Sequence, residues 1–134
     1  MLHKEILLIR DENPYGETYR ELKLSFDSLE VSVRDIITER VYQDVANYNL
    51  KANHHKYTLL VTPKEDEIRL NQLKDKKNKQ MKPEKQVEIA LKAFTSNGFF
   101  MLLDNKQVES LDSIVRIKPD TIVSFIKLTP LVGG

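Results

Sequence analysis

At 134 residues with 40% hydrophobic content, the chain is sized for one core of ordinary dimensions and not for two independent domains. Lys and Arg total 21 against 20 Asp and Glu, a formal charge of +1, which leaves no global basic field to draw in nucleic acid or an anionic membrane. The absence of cysteine excludes a disulfide, a thiol nucleophile, a zinc–thiolate site and a side-chain thioester, so any such chemistry belongs to a partner.

The first apolar run covers only residues 6–9, far short of a secretory or membrane-spanning stretch, and the expected compartment is the reducing cytoplasm. Residues 5–10 are rich in β-formers. Asp11, Glu12, Asn13, Pro14, Tyr15 and Gly16 follow as a cluster of turn formers that reverses the chain. The next segment alternates, with Tyr19, Glu21, Lys23 and Ser25 on one face and Arg20, Leu22, Leu24 and Phe26 on the other. Together these predict an N-terminal hairpin. Ser32 followed three residues later by Asp35 forms a capping box, with Asp in place of the usual Glu, and opens a helix of about four turns. Val33, Ile36, Ile37, Val41, Val45 and Tyr48 give it one apolar stripe, and Arg40, Tyr42 and Asp44 are expected on the solvated side.

From residue 49 to 81 the character shifts towards charge. Lys74, Lys76, Lys77 and Lys79 read as a solvated helix face or flexible excursion, because no aromatic or glycine-rich cradle accompanies them. His54 and His55 point in different directions and lack the further convergent ligands of a zinc site, so no metal is expected. Pro83 fits the first turn of a second helix, buried through Val87, Ala90, Leu91 and Phe94 and stopped by Asn97-Gly98. Residues 99–103 form a strand apolar on both faces, Asp104-Asn105 a turn, and residues 106–108 a short return. Leu111, Ile114, Val115 and Ile117 predict a compact turn or short helix on the core. Pro119-Asp120 precede a final strand over residues 121–128, and no internal repeat is present.

That strand is followed by Thr129-Pro130-Leu131-Val132-Gly133-Gly134. Pro130 cannot donate to a sheet ladder, so it should release the tail. Two glycines lack Cβ atoms and can thread a narrow channel, carrying an ionised carboxylate to a reactive centre. Such a carboxylate can attack the α-phosphate of ATP to form an acyl adenylate.

Hairpin, long helix, strand, tight turn, short strand, connector and final strand is the β-grasp order. The expected fold is therefore α+β: a mixed sheet wrapping one long amphipathic helix, with a partly helical insertion over residues 49–98 and a flexible tail over 129–134, all in one domain. Leu102-Leu103-Asp104-Asn105-Lys106-Gln107-Val108-Glu109, then Asp120-Thr121-Ile122-Val123-Ser124-Phe125, then Gly133-Gly134, resemble the C-terminal part of ubiquitin in the same order. The chain is similar in kind to the divergent bacterial ubiquitin-like proteins with a C-terminal diglycine.

The resemblance implies a protein modifier and not an enzyme. Gly133 and Gly134 would be the acyl donor, and Leu131 and Val132 the stretch read by the activating enzyme. They stand where ubiquitin has arginines, which calls for an apolar channel in that enzyme. Leu102 and Phe125 match the apolar patch through which ubiquitin meets partners, on the strand phase opposite Met101, Leu103, Ile122 and Ile126. The helix starting at Pro83 is an alternative occupant of that face. Lys106 matches a chain-building lysine, although an exposed turn lysine is commonly only solvated. The implied partners are an adenylating enzyme, a conjugating enzyme, a deconjugating metallopeptidase and target lysines, with no cofactor on this chain because ATP is used by the activating enzyme. A sulfur carrier ending in a glycine thiocarboxylate, and a non-covalent adaptor, are the competing readings. No phosphate-binding glycine loop or nucleophile pattern supports catalysis by the chain itself.

Overall fold

The computed structural model describes residues 4–50, 59–61 and 81–128. Its elements in chain order are β1 (Glu5–Glu12), β2 (Thr18–Phe26), β3 (Glu30–Ser32), α1 (Val33–Leu50), α2 (Pro83–Thr95), β4 (Phe99–Leu103), β5 (Lys106–Val108), β6 (Ile114–Arg116) and β7 (Ile122–Lys127). The chain divides into two compact units, Met1–Ile36 with Ala93–Gly134 and Ile37–Lys92.

In the first unit β1 and β2 form the expected hairpin, in register from Glu5 opposite Phe26 to Asp11 opposite Arg20. The strand runs two residues further than the turn cluster suggests, and the reversal is made by residues 13–17. Asn13 organises it: its Oδ1 accepts the Tyr15 and Glu17 N–H groups at 2.9 and 3.0 Å, and Gly16 takes φ +87°. That backbone angle favours glycine, which has no Cβ to clash. Tyr19 is the additional residue of a bulge, since Glu12 pairs with Thr18 but Asp11 with Arg20.

The five-stranded sheet has the order β2-β1-β7-β4-β5, and β3 with β6 makes a separate two-stranded sheet. β1 and β7 are parallel, while every other pair is antiparallel. The protein is thus α+β with a mixed sheet. One sheet face, carrying Leu7, Ile9, Leu24, Phe99, Met101, Val123 and Phe125, is almost fully removed from water. Phe99 bridges Phe94 and Phe125, with ring centroids 5.9 and 5.8 Å apart in tilted geometry.

The stretch expected as a turn or short helix on the core is instead strand β6, which pairs Glu30–Ser32 with Arg116–Ile114 and keeps Val115 buried. The loop before it closes the start of α1. Val33 and Arg34 N–H groups donate to the Ser113 and Leu111 carbonyls at 2.9 and 3.0 Å. The capping box forms as predicted: the Asp35 N–H donates to Ser32 Oγ at 3.0 Å and the Ser32 N–H to Asp35 Oδ2 at 3.1 Å. Three of the amide donors that a helix N-terminus leaves without intrahelical partners are thereby satisfied.

At the other helix, Asn97 takes φ +62°. Its N–H donates to the Phe94 carbonyl at 3.2 Å, and the Gly98 N–H reaches back to Ala93 at 2.7 Å, the two bonds of a Schellman stop. A Cβ on Gly98 would sit 3.2 Å from the Ala93 side chain and carbonyl oxygen, a tight approach that a larger residue could take only with a shift of a few tenths of an ångström at Ala93.

The second unit corrects one expectation. Arg40 is 0% and Asp44 4% exposed, on the buried side of α1 and not on its solvated side. Arg40 Nε donates to both Asp44 oxygens at 3.0 Å, and Asp44 Oδ2 also accepts the Leu60 N–H at 2.8 Å. Tyr42 does face solvent. In the same unit Asn49 bonds both backbone groups of Met81, accepting its N–H at 2.9 Å and donating to its carbonyl at 3.2 Å. Gln86 donates to the Val61 carbonyl at 3.4 Å.

Candidate functional site

The chemistry expected of this chain lies beyond β7, so the relevant geometry is how that strand is held and what surrounds it. Asp104 fixes its start. Asp104 and Asn105 both have positive φ, +48° and +70°, which is the two-residue turn matched to a twisted hairpin. In that conformation the Asp104 N–H donates to the Ile122 carbonyl and its Oδ1 accepts the Ile122 N–H, both at 2.9 Å. At the far end, Lys127 pairs in register with Phe99, and its Nζ stands 5.7 Å from the centre of the Tyr19 ring. The bulge therefore places an aromatic face beside the last β7 residue. Gly133, Gly134, Leu131 and Val132 lie outside the described residues, as do His54, His55 and the lysines at 74–79.

The patch expected at Leu102 and Phe125 does not form as a pair. Leu102 is opposite Ser124, whereas Phe125 is opposite Met101, so the two side chains project to opposite sheet faces. Phe125 is 0% exposed and stacks near Phe99, which makes it a core residue. The same register corrects Ile122 and Ile126, which share the Leu102 face and are half-buried. The residues that accompany Leu102 are thus Leu8, Phe100, Ile122 and Ile126, all half-buried, with Leu8 opposite Ile122 and Phe100 opposite Ile126. An ion pair between Arg10 Nε and Glu21 Oε2 at 2.9 Å adjoins this apolar set along β1 and β2. The sequence signal for it is the apolar-on-both-faces character of β4 and β7; register is what the sequence lacks. Lys106 is exposed directly after the Asp104-Asn105 turn.

Among the described residues, no group of three or more His, Asp or Glu side chains could hold a metal ion, and no helix is long and apolar enough to cross a membrane. Burial raises the Tyr48 phenol above its ordinary value of 10.0. No protein-family model, no curated protein and no solved structure matches this chain.

Proposed function

We propose that this chain is a ubiquitin-like modifier of β-grasp fold, activated at Gly134 and joined to lysine amines of target proteins in a bacterial-type conjugation pathway. The observation that carries the reading is the strand order β2-β1-β7-β4-β5 about a central parallel pair, with the diglycine sequence following β7. That order is compatible with a β-grasp sheet and supports the reading, and in the sequence β7 is followed by Thr129-Pro130-Leu131-Val132-Gly133-Gly134. Fold by itself does not fix function, so the tail sequence supplies the chemical part of the argument.

In this reading the Gly134 carboxylate attacks the α-phosphate of ATP on an adenylating enzyme and displaces pyrophosphate. A cysteine thiolate of the partner then attacks the acyl carbon and AMP leaves. Finally a lysine amine attacks the thioester, the thiolate departs and the amine loses a proton, leaving an isopeptide bond. Activation is needed because a carboxylate is a poor electrophile while an adenylate or thioester is not. The chain contributes the donor, and its Leu102 face, with Phe100 and Ile126, contributes the apolar surface that a partner enzyme would cover.

The test is intact-mass measurement after incubation with ATP and the adenylating enzyme of the same source. Covalent transfer to another protein, lost on deletion of Gly133 and Gly134, supports the modifier. A mass gain equal to exchange of oxygen for sulfur would replace it with a sulfur carrier. Retention of partner and activity after the deletion would replace it with an adaptor.

A further inference from the structure

The two edges of the five-stranded sheet are unlike. β5, at one end, has three residues, whereas β2, at the other, has nine and contains no proline. A short edge leaves little backbone to pair and a proline removes a donor, and β2 has neither protection. Among the described residues β1 is the only strand paired with β2, and the backbone of residues 21–26 makes no hydrogen bond outside that ladder. Alternate N–H and C=O groups of the strand therefore point away from β1, where another strand can take them up.

A lysine on an edge strand ordinarily discourages pairing. Here the lysine does not stand alone. Glu21 and Lys23 are exposed and two residues apart, so they project to one face, while Leu22 between them is half-buried and shares the other face with Leu24 and Phe26. Glu21 is already held by Arg10, opposite it on β1, whereas Lys23 has no partner among the described residues. Two copies of an edge strand related by a two-fold axis normal to the sheet run antiparallel, with one residue facing itself and its neighbours facing each other. The central residue decides what meets. With Arg20, Glu21 or Lys23 at the axis, like charges face each other directly. With Leu22 at the axis, Glu21 of each copy faces Lys23 of the other, Leu22 meets Leu22, and Arg20 lies against Leu24. Leu22 is also the midpoint of β2, so this register pairs the greatest length of strand, up to the bulge at Tyr19. A row across the joined sheets then reads Arg10, Glu21 and Lys23 of the second copy, alternating in sign.

We infer that β2 is a self-pairing edge: two copies of this chain join antiparallel about Leu22, with Glu21 and Lys23 exchanged across the two-fold axis, and their two five-stranded sheets become one. The pairing uses β2 alone, so it does not depend on the tail or on the modifier reading. The contact is one strand wide, smaller than the roughly 1,200 Å² of a stable interface, so the association is weak and reversible.

The experiment is sedimentation equilibrium of the full chain between about 10 μM and about 1 mM, where a monomer–dimer equilibrium with a Kd on the order of 0.1 mM is expected. Lys23→Glu, at an exposed residue, should keep the circular dichroism spectrum of the parent and weaken the dimer by about tenfold or more, because acid then faces acid twice. Glu21→Lys should weaken it likewise, with base facing base. An equimolar mixture of the two variants restores opposite charges at both places and should associate about as well as the parent, although neither variant does so alone. A general loss of fold or solubility does not produce that rescue. A chain monomeric throughout the range would overturn the proposal and leave the edge to a strand of a different protein. A parent dimer untouched by Lys23→Glu, or a mixture no better associated than its components, would overturn the pairing about Leu22. Glu21→Lys also removes the Arg10 contact. Should it not fold, Lys23→Glu beside Lys23→Arg decides: only the first should weaken the dimer, and equal behaviour of the two would overturn the pairing.

Discussion

Arg40 and Asp44 are four residues apart on α1, spaced to meet, and both have been withdrawn from water. Their mutual geometry offsets some of the cost of desolvation, because Arg40 Nε reaches both carboxylate oxygens and Asp44 also receives the Leu60 N–H. Removing Asp44 takes a buried, charge-assisted contact from Arg40. Asp44→Ala should lower unfolding stability by about 3–5 kcal/mol in urea titration, whereas the paired change Arg40→Met with Asp44→Leu should recover most of that loss. A double variant as unstable as the single one would show that the Leu60 anchor, and not the broken ion pair, is what matters. Tyr48 gives a second test at this scale. Burial raises its phenol above 10.0, so the unfolded chain loses that proton at lower pH than the folded one. The stabilising contribution is full below the ordinary value and is lost as the pH climbs through the raised one. Stability measured across that alkaline range should therefore fall more steeply for the parent chain than for Tyr48→Phe.

Elements whose ends are set by local chemistry are legible in the sequence alone. Ser32 with Asp35 marks the start of α1, Asn97-Gly98 the end of α2, and Asp104-Asn105 the β4–β5 turn, because each depends on atoms within a few residues. Ser32→Ala should accordingly cost about 1 kcal/mol by chemical denaturation, the usual value of one lost N-cap. Asn105→Val, which forces a β-branched residue into φ +70°, should cost more than Asn105→Gly, which should be neutral or stabilising. Pairing between distant residues leaves no such local mark. Strand β6 has only three residues and is defined by β3, far earlier in the chain, so its apolar spacing resembles that of a compact turn. The parity of β7 is ambiguous in sequence for a related reason: Ile122, Val123, Phe125 and Ile126 are apolar on both phases, and only the pairing of Met101 with Phe125 decides which phase is inward. The burial of Arg40 and Asp44 is equally silent, because nothing in their own neighbourhood announces the Leu60 N–H that Asp44 receives.

Across the molecule, the sheet register separates two kinds of apolar residue that composition treats alike. Phe125 lies on the face buried with Phe99, Met101 and Val123, while Leu102 and Ile126 lie half-buried on the opposite face of the same strands. The first kind holds the sheet together, and the second keeps part of its surface in contact with solvent. Phe125→Ala should therefore destabilise by about 3–5 kcal/mol, the cost of removing an aromatic ring from a packed core. Leu102→Ala and Ile126→Ala, which already share their surface with solvent, should each cost about 1 kcal/mol or less. Binding is expected to run the other way. On the proposed modifier reading, Leu102→Ala and Ile126→Ala should raise the KM in a kinetic assay of Gly134 activation while leaving kcat near that of the parent chain, because they remove binding surface and leave the reacting group unchanged. Phe125→Ala, assayed at a temperature where it is still folded, should leave the KM unchanged, since its side chain is fully buried. If Phe125→Ala raised the KM and Leu102→Ala did not, the assignment of the two faces would be reversed, and the parallel register of β1 with β7, which sets the phase of both, would be wrong by one residue.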